Sequence, residues 1–148
     1  MRFLEANNYS EQDQRQLFIN LFDQNGSTLH CEIPVFCRSV DLVELNGTKQ
    51  TISAIEFKKT NWKKAIEQVK EVSTSFDYLS ICVLKPKTEK SKNLIVNVCN
   101  SDGIGLIFFN KEKGTFENAV TSKRVYRTWE VQKKNVIKYL TEANKYDK

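Results

Sequence analysis

The chain has few of the residues that break regular structure: 5 glycines and 2 prolines among 148 positions. That scarcity excludes collagen-like repeats and low-complexity linkers. No apolar run approaches the roughly 18 residues a membrane helix requires, so no membrane partner is expected. The opening "MRFLEANNYSEQ" has no apolar signal-peptide core, and cytoplasmic residence is the expectation. With one histidine, His30, there is no His-based metal site, and a Ser-His-Asp triad would depend on that residue alone. The four cysteines (Cys31, Cys37, Cys82, Cys99) show neither CxxC nor Cys/His zinc spacing. Cys31, Cys82 and Cys99 sit among apolar residues and read as small buried hydrophobes. Gly103 and Gly105 are too few and wrongly spaced for a dinucleotide or P-loop fingerprint, and read as a tight approach to a strand.

What remains suits one globular domain over residues 1–148, 40% hydrophobic and 28% charged. A net charge of +5 favours an acidic partner, of which nucleic acid is the commonest. Basic residues concentrate in "LKPKTEKSK" (84–92) and "TSKRVYRTWEVQKK" (121–134), the second interleaved with Tyr126 and Trp129. Each reads first as solvated surface and second as a phosphate track. Lys87, Lys123, Arg124 and Arg127 are the phosphate contacts in that second reading, with Lys63 and Lys64 at a helix start. Trp62 and Trp129 read first as packing residues.

The pattern predicts a helix over 10–26, capped by Ser10, with Leu17, Phe18, Leu21 and Phe22 at helical spacing and Asn25-Gly26 as the stop. Strands are expected at 28–36, where Pro34 marks an edge or a strand end, at 39–45, and at 49–59 after the Asn46-Gly47 turn. From Asn61 the period changes, and Trp62, Ala65, Ile66 and Val69 form one helical stripe. A covered strand follows at 78–84; periodicity leaves 91–100 open between helix and strand. Residues 103–110 read as a last buried strand and 124–145 as a closing helix. The helix between the third and fourth strands suits a right-handed crossover, and the earlier hairpin makes the sheet mixed.

Within the third strand, "AIEFKK" sets Glu56 and Lys58 on one face and Ile55 and Phe57 on the other. Asp41 lies in the strand across the turn, within cross-strand reach of Glu56. Two close carboxylates repel, and one pKa rises unless a cation intervenes. Mg²⁺ is an economical remedy, because it accepts one or two carboxylates and keeps waters and room for a phosphate oxygen. Lys58 beside them is suited to stabilise charge on a phosphorus under attack or to orient the attacking water.

"VDLVEL…AIEFKK" resembles the Asp…Glu-x-Lys signature of the PD-(D/E)XK phosphodiesterase superfamily, the fold of restriction endonucleases and many repair nucleases. The resemblance spans about residues 10–110, with 111–148 as a basic C-terminal extension. It implies an α/β fold: a restriction endonuclease-like αβββαβ core with a mixed sheet flanked by helices, plus a C-terminal strand and helix. It also implies a metal-dependent nuclease acting on nucleic acid, DNA before RNA, with Mg²⁺ or Mn²⁺. Asp41 and Glu56 match the metal-binding acids, Lys58 the catalytic lysine and Gln68 a glutamine many members carry on the following helix. The extra acid of some members matches Glu32, one strand earlier; in others it lies on the first helix, where Glu11 stands. Val40 replaces the signature's proline. The domain lacks a recognition module, so specificity would come from a homodimer or from a larger repair, defence or mobile-element complex. The alternative is a catalytically silent nucleic-acid-binding or accessory subunit on the same scaffold.

Overall fold

The computed structural model describes residues 9–22, 26–36 and 38–146. Helix α1 spans Glu11–Leu21. Ser10 caps it reciprocally: its hydroxyl accepts from the Asp13 N–H, and the Asp13 carboxylate accepts from the Ser10 N–H at 2.8 Å. The helix ends before the expected stop, whose Asn25 lies outside the described residues. Strands β1 (Ser27–Val35), β2 (Arg38–Asn46) and β3 (Thr51–Phe57) form an antiparallel meander. Helix α2 (Trp62–Glu71), capped by Asn61, leads through a 3-10 turn at Ser73–Ser75 to β4 (Tyr78–Leu84). Helix α3 (Glu89–Asp102), β5 (Gly105–Asn110), β6 (Thr115–Val120) and α4 (Glu130–Tyr146) complete the chain.

The six strands make one mixed sheet in sequential order, parallel only at β3–β4 and β4–β5. This is the expected α/β class, with αβββαβ order through β4, but two helices and two strands follow where one strand and one helix were expected. Both parallel crossovers step the same way along the sheet, so right-handed connections put α2 and α3 on one face. There Ala65, Ile66, Val69, Ile95 and Cys99 pack on Val43, Ile52, Ala54 and Ile81. Helix α1 covers the other face, where Leu17 joins Leu42, Ile55, Phe57, Cys82 and Phe109. Strand alternation therefore turns Glu56, like Ile52 and Ala54, toward the α2 side. Pro34 falls on β1, an edge strand, the place in a sheet where proline is tolerated.

Several expectations change. The open segment 91–100 is helix, because Ile95 and Cys99 bury one face; Thr88 caps it and Gly103 ends it in the left-handed region at φ 71°. β6 was not legible, since it is an edge strand with only Val120 buried and no apolar alternation. The closing helix starts at Glu130 rather than 124. Ahead of it the backbone is tied down: Lys123 N–H donates to Gly103 O, Val125 N–H to Asp77 O and Trp129 N–H to Thr74 O. Cys82 and Cys99 are buried as expected, but Cys31 is exposed. It lies on the edge strand beside Glu32, whose left-handed backbone (φ 52°) reverses the strand's faces: Leu29 packs toward α1 and Ile33 toward α2. Cys37 lies outside the described residues.

Gly105 sits opposite Ser80 across β4–β5, and a Cβ there would run into the Ser80 hydroxyl and lie 3.1 Å from Ser122 Cβ. Gly105→Ala is expected to lower stability by about 1–3 kcal/mol in urea unfolding. Adding Ser80→Ala should restore part of that loss, since the Ser80 oxygen is the nearest obstacle.

Candidate active site

The β2–β3 register brings the two motif acids together. Its last ladder pair is Leu42 with Ile55, and one further step opposes Asp41 to Glu56. Asp41 Oδ2 accepts from the Phe57 N–H at 2.8 Å, so this carboxylate finishes the ladder where β3 ends. Its carbonyl accepts from Arg15 Nη1 at 3.3 Å. Glu56 is fully buried. Its Oε1 accepts from Arg38 Nη2 at 2.9 Å, while Oε2 has no donor. Burial, then the hydrogen bond and charge of Asp41, push the Glu56 carboxyl up to about 8, with Arg38 opposing. The pair therefore favours a protonated Glu56, whose Oε2 is buried without a hydrogen-bond partner.

Arg38 was not singled out from the sequence. Its guanidinium also reaches Glu71 Oε2, at the end of α2, at 3.4 Å, and its Nε is buried without a partner. The available signal was electrostatic: paired acids call for a cation, and Arg38 is the basic residue of β2, three positions before Asp41. Gln68 is half-buried on α2, one turn before Glu71, and so on the flank of the helix that meets Arg38.

Lys58 lies just past the end of β3. Its N–H donates to Cys82 O at 3.0 Å and prolongs the parallel ladder. Its Nζ stands 3.8 Å from Glu11 Oε1, and Glu11 Oε2 accepts from the Lys59 N–H at 3.1 Å. Glu11 is therefore brought to the motif lysine. Glu32 falls opposite Asp41 in register, between Cys31–Leu42 and Ile33–Val40. Its side chain is 63% exposed, 3.9 Å from Arg15. Behind Lys58, the buried Gln14 Nε2 donates to Cys82 O at 3.2 Å, while Gln14 Oε1 and Tyr9 OH lack partners.

The six basic candidates divide between two ends of the sheet. Lys63, over the Trp62 ring at 5.6 Å, and Lys64, paired with Glu67 at 3.3 Å, stand near the carboxyl end of β3. Lys87 is exposed beyond the carboxyl end of β4. Lys123, Arg124 and Arg127 lie at the opposite end, where Arg124 pairs at 3.0 Å with Asp77, the residue before β4. Asp77, also unforeseen, is a buried hub that additionally pairs with Lys133 at 2.9 Å and accepts from the Ile52 N–H at 2.9 Å.

Among the described residues no three His, Cys, Asp or Glu side chains converge in a metal-binding group. Asp41 and Glu56 nevertheless fit a hard divalent cation, because the unpartnered Glu56 oxygen lies beside a second carboxylate and water can fill the other positions.

The fold has a solved counterpart. A protein of unknown function from Silicibacter pomeroyi aligns over 95% of this chain and 90% of its own, with a TM-score of 0.67 at 15% identity. That likeness concerns the fold alone. A repair endonuclease from Pyrococcus abyssi aligns over 73% of this chain and 50% of its own, with a TM-score of 0.47 at 17% identity, too loose an overlap to bear on function. No protein-family profile matches the chain, and no curated protein does. No helix among the described residues is long and apolar enough to cross a membrane.

Proposed function

We propose that the chain is a metal-dependent nuclease of the PD-(D/E)XK kind, hydrolysing phosphodiester bonds in nucleic acid, with DNA as its substrate. The observation that carries this reading is Glu56: fully buried, opposed to Asp41, with one oxygen lacking any donor. A purely structural strand has no use for such a costly pair. Mg²⁺ or Mn²⁺ held by Asp41 and Glu56 would supply a Lewis acid and a more acidic water. Asp41 keeps the end of β3 in place through the Phe57 N–H. Lys58, steered by Glu11 at the rim, offers an ammonium to the charge that develops on the phosphate. Gln68 flanks the acids from α2, and Lys63, Lys64 and Lys87 meet neighbouring phosphates. Arg38 must loosen from Glu56 for a cation to reach both oxygens, and Glu71 is already there to receive it. Specificity would come from a second copy or a larger complex.

The test is cleavage of duplex, single-stranded and branched DNA and of RNA, with Mg²⁺ or Mn²⁺ against EDTA. Lys58→Ala is expected to reduce cutting about 100-fold or more, with circular dichroism unchanged. Cutting that survives the substitution would refute the assignment. One observation favours a second reading: the Arg38–Glu56 pair at 2.9 Å already neutralises the site. In that reading the chain is a silent nucleic-acid-binding subunit, and metal-independent, steeply salt-sensitive binding without cleavage is its signature.

A further inference from the structure

The carboxyl ends of β4 and β5 open onto a cavity of about 490 Å³. That volume lies in the range of small-molecule sites, and the crevice beyond parallel strand ends is where open α/β sheets hold ligands. Its wall is apolar with one aromatic face: Trp62, half-buried against the core, stands with Val83 and Ile95. Its rim is cationic. Lys85 is held by Glu117 at 3.3 Å, while the exposed Lys87 makes no ion pair among the described residues. Ser91, in the first turn of α3, adds a hydroxyl, and Glu112 is the one acid of the rim. An indole face under a lysine rim suits a planar ring that carries an anion. The cavity is also continuous in chain with the candidate site, since Thr60 and Trp62 follow Lys58 by two and four positions.

We propose that this cavity receives one unpaired nucleotide of the substrate strand, its base against Trp62 and its phosphate at Lys87; this rests on the nucleic-acid reading of the neighbouring site. A base paired and stacked in a duplex cannot enter such a cavity without leaving its stack. The substrate class is therefore a single strand, a frayed end or a flap rather than intact duplex.

The experiment uses the full chain with Trp129→Phe, which leaves Trp62 as the single tryptophan fluorophore. It is titrated in EDTA with an eight-nucleotide oligothymidine, thymidine 5′-monophosphate and a blunt duplex hairpin. Saturable quenching by the oligonucleotide, at least tenfold weaker for the hairpin, is the expected result. Lys87→Glu, on an exposed connection, should weaken oligonucleotide binding about tenfold, and Trp62→Leu similarly by anisotropy of a labelled strand. Equal quenching by the hairpin, no quenching at all, or unchanged affinity in Lys87→Glu would overturn the proposal. Quenching by the mononucleotide without any by the oligonucleotide would also overturn it, in favour of a free nucleotide ligand. Because EDTA prevents cleavage, the two readings fail separately: quenching without cutting in the metal assay removes the nuclease, and cutting without quenching removes this cavity.

Discussion

Asp77→Ala is expected to remove about 3–5 kcal/mol of folding stability, a large share of what a small domain has. The Asp77 side chain is 1% exposed and Lys133 9%, so the substitution strands a buried ammonium. The Ile52 N–H loses its acceptor at the same time. Arg124, at 58% exposure, is solvated either way and adds little. Asp77 ties the amino ends of β3 and β4 to the 123–133 segment, whose Val125 N–H also binds the Asp77 carbonyl. Urea unfolding of Asp77→Ala, Lys133→Met and the double variant measures the effect. The double variant should recover part of the loss, since no lone charge remains buried. Losses that simply add would mean the pair is not coupled.

Glu56→Gln is expected to abolish a pH dependence of stability that the wild type shows without metal. Folded Glu56 keeps its proton to about pH 8, whereas an ordinary glutamate releases it near 4.5. Between those values the folded state binds more protons than the unfolded one, so stability falls as pH rises. The steepest slope for one such group is about 1.4 kcal/mol per pH unit. Glutamine cannot ionise, yet still donates a hydrogen bond toward Asp41, so the variant should lose the fall in stability between pH 5 and 8. It should keep only the opposite, smaller rise from His30, whose imidazole is pushed down by burial. Saturating Mg²⁺ at pH 8 should raise the wild-type melting temperature and leave the variant unmoved. Parallel pH profiles for the two proteins would show that the Asp41–Glu56 pair does not titrate as a buried couple.

The periodic elements were legible in the sequence because local rules govern them. Ser10 caps α1 where expected, and Trp62–Glu71 and Tyr78–Leu84 appear at the expected places. The approach of Asp41 to Glu56 was also legible, since a two-strand hairpin fixes which residues face each other. Features that depend on distant segments were not. β6 carries no apolar alternation because its place is made by the β5 ladder, not by its own side chains. Arg38 on Glu56, Glu11 on Lys58 and Lys133 on Asp77 join residues 18, 47 and 56 positions apart. Sequence alone determined the order of elements and the pairing of two acids, because hydrogen-bond ladders and side-chain alternation act locally. Only tertiary structure decided which cations meet those acids and how deeply Glu56 is buried. Charge partners are chosen by packing, and desolvation exists only once the layers close.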